Sequence, residues 1–317
     1  MTHPSGPQAS ARDILVVGSV ALDSVKTPFG EVTEGLGGSA SYFAMSASHF
    51  APVRIVAVVG DDFPAQHRRG FEQRGIDLSG LETAPGRTFR WRGEYSAELG
   101  HARTIETQLN VFSTFHPRLD AAHRESPFVF LANIDPDLQL EVLSQMPKPR
   151  LTLSDTMNYW IARKPERVLD VLRQVDVALL NEEEARALAA ETHLVRAADR
   201  LIAEGARAVI IKQGEHGAMY QSRTERFITP AFPVIALTDP TGAGDSFAGG
   251  FLGYLARHGR TDGDALRQAL ACGATMASVA IEGFSPSRLA EVEPAEIADR
   301  VRLLHQMVHF DLGAVFG

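Results

Sequence analysis

The 317-residue sequence predicts an α/β fold: a mostly parallel, doubly wound sheet covered on both sides by helices, with a small β insertion acting as a lid. Three observations predict it. Short β-rich runs alternate with helical stretches, which is the pattern of parallel strands joined by helical crossovers. Several of these runs are apolar throughout, as strands buried on both faces must be. One segment, 87–115, instead alternates aromatic or aliphatic with polar residues and reads as a separate antiparallel patch. No Pro-, Gly- or Ser-rich linker divides the chain and no internal repeat is visible, so residues 13–317 are expected to form one domain carrying that insertion. The polar stretch 1–12 is expected to be a disordered tail.

The elements follow in order. Ile14–Val17 is the first strand, and GSVALDS behind it carries Asp23, whose carboxylate can accept from two neighbouring hydroxyls or close a βα turn. Gly37 and Gly38 permit either a close backbone approach to a ligand or a plain turn before the small, apolar helix SYFAMSASHF. Tyr42 in that helix either offers a ring to a bound sugar or base or joins Phe43 on the buried face. Further strands are expected at 54–59, 128–132, 151–154, 177–180 and 208–212. In the insertion, Phe89 and Trp91 are candidate partners for Tyr42 against a substrate. Arg90 and Arg92 either meet a substrate phosphate or form a solvated strand face. Asn181 ends a strand with Glu184 three residues on, a spacing that suits a helix cap or an acid placed for Mg²⁺. Lys212 leads into Gly214 and Gly217, glycines that let a nucleotide pass closely or make a hairpin turn. The apolar FPVIAL, 232–237, is expected to be a strand running into Thr238–Asp239–Pro240–Thr241.

The stretch DPTGAGDSFAGGF comes next. Phe247, Phe251, Leu252 and Leu255 share one helical face, so the Gly242–Ala243–Gly244 loop empties into a helix N-terminus, where unpaired N–H groups and the helix dipole favour an anion. Asp245 would repel a bound phosphate there. A capped helix with a first-turn acid is one reading; the other is a carboxylate that orients and deprotonates a hydroxyl attacking a phosphoryl group. The chain contains no G-x-x-x-x-G-K-[ST] loop, and Phe247 stands where a dinucleotide fingerprint needs its third glycine.

DPTGAGDSFAGGF resembles the C-terminal signature of the PfkB-type carbohydrate kinases, the ribokinase-like family. GLGGSASYFAMSA followed by VRIVAVVGDDF resembles the family's Gly-Gly substrate motif and its next strand, so the similarity spans about residues 13–290. The resemblance implies a ribokinase-like three-layer αβα core and ATP-dependent, Mg²⁺-requiring transfer of phosphate to a hydroxyl of a small sugar-like substrate. It implies that Asp245 is the base and Gly242, Ala243 and Gly244 the anion hole. Asp23, Gly37, Gly38 and Tyr42 fall to the substrate, although many sugar kinases of the family have asparagine where Tyr42 stands. That departure keeps a nucleoside acceptor in play. Lys212, Gly214, Gly217, Thr241 and Cys272 fall to the nucleotide, and Asn181 and Glu184 to the metal. Asp239 and Ser287 lie where the family builds a K⁺ site, and lid-to-lid homodimers are implied as well. A non-kinase of the same fold, an ATP-dependent dehydratase or a sugar sensor, is the alternative from another class; the joint presence of Asp23, Glu184 and Asp245 speaks against it.

Composition excludes other classes. A formal charge of −8 argues against nucleic acid and anionic membrane surfaces as partners. The single cysteine, Cys272, forms no internal disulfide, and the polar N-terminal stretch lacks a signal-peptide h-region, so a cytoplasmic location is expected. The eleven histidines show no zinc-site spacing and no G-x-S-x-G elbow occurs.

Overall fold

The protein is described by a computed structural model covering residues 10–309 except 98 and 101. Most of the expected N-terminal tail, 1–9, and the end of the expected domain, 310–317, lie outside the described residues. The strands are β1 (Ile14–Val17), β2 (Ala21–Thr27), β3 (Gly30–Gly37), β4 (Val53–Gly60), β5 (Asp77–Ala84), β6 (Arg90–Glu94), β7 (Arg103–Gln108), β8 (Phe128–Leu131), β9 (Leu151–Ser154), β10 (Val177–Asn181), β11 (Ala208–Lys212), β12 (Ala218–Ser222) and β13 (Arg226–Thr229). Nine of them form one sheet in the order β13-β12-β11-β10-β9-β8-β1-β4-β5. Its pairs are parallel except for β11–β12 and β12–β13.

Both faces of this sheet are buried. Alternate residues of β1 enter opposite cores, Ile14 and Val16 on one side and Leu15 and Val17 on the other, all with no exposed surface. That is why the central strands read as unbroken apolar runs. The first core is closed by α1 (Ser39–Ala47), α9 (Ala243–His258) and α10 (Gly263–Ala280), with Phe43 of α1 stacked on Phe130 of β8 at 4.3 Å. Between α1 and α9 in sequence come seven further helices, α2 (Ala65–Gln73), α3 (Ala121–Arg124), α4 (Pro136–Gln145), α5 (Asn158–Arg163), α6 (Pro165–Leu172), α7 (Glu182–Ala189) and α8 (Leu194–Ala203). The second core takes apolar residues from α4, α6, α7 and α8, including Val142, Val168, Ala185 and Leu201. The chain is therefore a three-layer αβα structure. Among the described residues no helix is long and apolar enough to cross a membrane.

The lid is a second sheet in the order β3-β2-β6-β7. Only half of it comes from 87–115. Its other two strands, β2 and β3, precede α1, where the sequence offers only turn alternatives at Asp23 and at Gly37–Gly38. β2 pairs in parallel with β6 at Asp23 and its neighbours, Asp23 opposite Trp91 68 residues on, a contact no local pattern announces. FPVIAL is not a strand: residues 230–240 have no regular structure, and Ile235 is completely exposed. Its apolar composition resembles that of a buried strand, but β12 and β13 already close this edge of the sheet.

Candidate active site

The carboxyl ends of the parallel strands converge on one cleft, the place where open α/β sheets bind their ligands. Asp155 follows β9, Asn181 ends β10 and Lys212 ends β11. Above them stands the N-terminus of α9, and the lid sheet closes the opposite wall.

Gly242 caps α9 with φ 76°, a left-handed conformation that glycine adopts freely. A Cβ at this position would lie 2.3 Å from ring atoms of Tyr42, so the turn rests directly on the phenol ring. Ala243 spends its N–H on the Pro240 carbonyl at 3.2 Å, which leaves the Gly242, Gly244 and Asp245 amides at the mouth of the helix. Gly244 faces Lys212, whose Nζ is 2.9 Å from where a Cβ on Gly244 would sit. Free amides, the positive end of a sixteen-residue helix and a cation beside them form a cradle that can receive an anion.

Asp245 is half-buried in the first turn of α9, and its carboxylate accepts no hydrogen bond from any described residue. Burial pushes its carboxyl well above the usual carboxylate range; Asp155, Asp23 and Glu184 push the same way and Lys212 opposes them. Lys212, half-buried, is held by the buried Asp155, Nζ to Oδ2 2.5 Å. Despite that burial its ammonium is held above the ordinary lysine range by Asp155 and Glu184.

Asn181 and Glu184 form a complete capping box at the start of α7. The Asn181 side chain accepts the Glu184 N–H at 2.8 Å, and Glu184 Oε2 accepts the Asn181 N–H at 2.7 Å. Glu184 is buried, and burial with Asp155 nearby lifts its carboxyl to about 7 against the pull of Lys212. Among the described residues no three His, Cys, Asp or Glu side chains are grouped to hold a metal ion. The donor set fits Mg²⁺ of the kind that keeps its waters and arrives with phosphates, not a metal caged by protein.

On the lid side, Asp23 sits in β2 and is buried, with Oδ2 accepting the Gly38 N–H at 3.3 Å. Burial lifts its carboxyl to about 7, the Gly38 bond lowers it and Asp239 raises it. Gly37 is needed because a Cβ there would overlap the Asp23 carboxylate, and Gly38 holds φ 89° against the Ser19 carbonyl. Tyr42 is 2% exposed. Its ring lies under the Gly242 turn, which leaves no face for stacking on a sugar or base; its hydroxyl has no hydrogen-bond partner among the described residues. Burial, with Asp239, Asp23, Tyr95 and Asp245 around it, holds this phenol well above its ordinary range.

The other expected residues are placed less centrally. Arg90 is committed to Glu34 at 2.6 Å and Asp62 at 2.8 Å, which rules it out as a ready phosphate ligand. Arg92 is exposed on the strand, in register with Ser24 and Glu106. Phe89 stacks on Phe112, and the Trp91 indole donates to Thr104. Gly214 and Gly217 form the β11–β12 hairpin, where a Cβ on Gly217 would lie 2.0 Å from the Thr229 carbonyl oxygen. Cys272 is buried in α10, its carbonyl 2.7 Å from the position of a Cβ on Gly250, and burial lifts its thiol to about 12. Asp239 is fully buried; it accepts the Thr241 N–H at 2.9 Å through Oδ1, while Oδ2 has no partner. Ser287 is exposed and its hydroxyl donates to the Phe284 carbonyl at 2.8 Å.

Two residues of the cleft escaped the sequence. Asp155 is recognisable only as a charged residue just past an apolar strand. Tyr95, at the end of β6, takes a hydrogen bond from the Thr241 hydroxyl at 3.2 Å, tying the lid to the cradle; nothing local marks it.

A three-layer αβα core with a β lid, a helix-terminal anion cradle and a carboxylate beside it defines the ribokinase-like class of small-molecule kinases. The profile of pfkB family carbohydrate kinases matches residues 11–290, and the chain belongs to that family. It is 29% identical over 252 residues to a cytidine kinase of Thermococcus kodakarensis, covering 77% of this chain and 89% of that protein. The fold is that of the Methanocaldococcus jannaschii nucleoside kinase of the ribokinase family, with TM-score 0.74 and 18% identity over 94% of this chain and 100% of the other. It likewise resembles an E. coli protein assigned as a ribokinase II and solved with ATP and Mg²⁺, TM-score 0.72 and 20% identity over 92% and 99% of the two chains.

Proposed function

We propose that the protein transfers the γ-phosphate of ATP to a hydroxyl of a small sugar-like acceptor, with Asp245 as the base. The observation that carries this reading is the unpartnered Asp245 carboxylate in the first turn of α9, beside the Gly242–Gly244 cradle.

Asp23 accepts hydrogen bonds from acceptor hydroxyls and the Gly38 backbone holds it in place. The amides of Gly242, Gly244 and Asp245 and the Lys212 ammonium receive the negative charge of the transferred group. Asp245 aligns the attacking hydroxyl and takes its proton; a carboxyl raised above its usual range is better matched to that transfer. Mg²⁺, when bound with ATP beside Glu184 and Asn181, supplies charge neutralisation of the phosphates. The partnerless Asp239 Oδ2 suits a monovalent cation next to the cradle. Tyr95 joins the lid to Thr241, so closing the lid over the acceptor also excludes water, which otherwise competes as nucleophile. A nucleoside as acceptor is the second reading, favoured by the similarity to a cytidine kinase.

The test is ADP release with Mg²⁺ and ATP across sugars, sugar phosphates and nucleosides, run beside Asp245→Asn. Turnover on one class that falls by about 10²-fold or more in the variant, with ATP affinity retained, is expected for a lost general base. Near-normal kcat in Asp245→Asn removes the assignment.

A further inference from the structure

At the acceptor end of the cleft three carboxyls and two phenols converge: Asp23, Asp239 and Asp245, with Tyr42 and Tyr95. Thr241 ties two of them together, its N–H donating to Asp239 Oδ1 at 2.9 Å and its hydroxyl to Tyr95 at 3.2 Å, while the Tyr42 ring lies against Gly242, three residues before Asp245. Asp23 makes no ion pair with any described residue. Lys212, which acts on Asp245, is committed to Asp155 and lies beside Gly244, at the phosphate end.

Among the described residues the lid sheet brings no uncommitted charge to Asp23. Arg90 is bound to Glu34 and Asp62, and Lys26 and Arg103 both approach Glu94. Arg92 follows Trp91, the in-register neighbour of Asp23, so strand alternation turns its side chain to the other face of the sheet. Asp239 Oδ2, which can only accept unless it carries the proton, is buried with no partner, and the hydroxyl of Tyr42, a residue 2% exposed, has no hydrogen-bond partner among the described residues and can donate.

Resting on the kinase reading above, we infer that the acceptor carries no negative charge at the end gripped by Asp23: it is a neutral polyhydroxy compound, a free sugar or a nucleoside, and not a sugar phosphate or sugar acid. Hydroxyls of such a molecule donate to Asp23 and Asp239 and accept from Tyr42, which satisfies the orphaned groups. Asp23 and Asp239 are buried and Asp245 is half-buried, so water screens their charge poorly. A phosphate or carboxylate on the acceptor adds to that unsolvated negative charge or brings a proton in with it. A monovalent cation on Asp239 offsets one charge and leaves the other two.

The experiment compares matched pairs at pH 8: D-ribose with ribose 1-phosphate, D-fructose with 2-dehydro-3-deoxygluconate, and cytidine and adenosine with their 3′-phosphates. Both kcat/KM and the ligand-induced rise in Tm of the full chain are measured. The neutral member is expected to be preferred on the order of a hundredfold. A preference of at least about tenfold for the neutral member of the best pair supports the inference, and a smaller preference or an anionic preference overturns it. If no compound is phosphorylated, the kinase reading falls and the Tm data decide this one separately. Stabilisation by neutral members alone supports it; stabilisation by anionic members, or by none, overturns it.

Discussion

Asp23→Asn should make the unliganded protein more stable at alkaline pH while weakening it as an enzyme. Asp23 is 6% exposed, and its titration point moves from 3.8 in the unfolded chain to about 7 in the folded one. The folded state therefore holds a proton that the unfolded chain has already released between these values. The stabilisation from this group is present below 3.8 and is lost as pH rises through 7. At 1.36 kcal/mol per tenfold change in proton affinity, the shift corresponds to about 4 kcal/mol by pH 8. Asparagine removes that penalty and still accepts the Gly38 N–H through its carbonyl oxygen. Its amide hydrogens lack a partner, which costs about 1–3 kcal/mol. The net gain is about 2 kcal/mol at pH 8, a rise in Tm of roughly 4 °C for a chain of this size. At pH 4.5 only about 1 kcal/mol of the penalty remains to be relieved, and the amide cancels it. Calorimetry of both proteins without ATP or acceptor at the two pH values reads this directly. A variant no more stable than the parent at pH 8, or one equally stabilised at pH 4.5, refutes the assignment of a buried, ionisation-penalised Asp23.

Other substitutions probe the cradle and the lid. Gly242→Ala forces an L residue to φ 76° against the Tyr42 ring; it should destabilise the fold by about 2 kcal/mol or more and abolish the rise in Tm that ATP and Mg²⁺ give. A retained nucleotide-induced rise would show that the anion site is elsewhere. Tyr95→Phe removes one neutral hydrogen bond between lid and cradle, worth about 1 kcal/mol, and should lower kcat/KM for the acceptor roughly fivefold with Tm within about 1 °C of the parent. Unchanged kinetics would leave the lid uncoupled from the cradle. Because Asp245 must be ionised to accept a proton and its carboxyl is held well above the usual range, kcat should rise with pH along an acid limb whose midpoint lies above that of an ordinary aspartate. A pH-rate profile whose acid limb falls at the ordinary aspartate range contradicts that protonation state.

The sequence carried the central sheet well because strands buried on both faces have no polar face to disguise them, and β1, β9 and β11 match the expected runs at both ends. The lid was half legible. β6 and β7 alternate recognisably, but β2 and β3 contain Asp23, Lys26, Glu31 and three glycines, and they are strands because they pair with each other and with β6, not because of local preference. FPVIAL failed for the opposite reason: six residues of strand-like composition have no neighbour to pair with. At the site, the short spacings Gly242–Asp245 and Asn181–Glu184 could be read, since each folds as one local unit. Asp155 and Tyr95 meet Lys212 and Thr241 across 57 and 146 residues, distances over which one sequence has no pattern to offer.

Several readings that compete in the sequence occupy different atoms in the structure. Asn181 and Glu184 make the helix cap, yet the cap consumes only Oε2 of Glu184 and leaves the other oxygen without a hydrogen bond. Tyr42 is a buried face residue, yet only its ring is taken up by packing, and its hydroxyl has no partner among the described residues. Asp239 turns the chain into Thr241 with one oxygen and keeps the second unpartnered. In each case the packing role fixes where the unused polar atom points. A group fixed in this way loses little entropy when a ligand arrives, so the scaffold role serves the proposed chemistry instead of excluding it. The double-mutant cycle that tests this pairs Asn181→Ala with Glu184→Gln: if the cap only holds Glu184 in place, losing both costs no more activity than losing Glu184 alone.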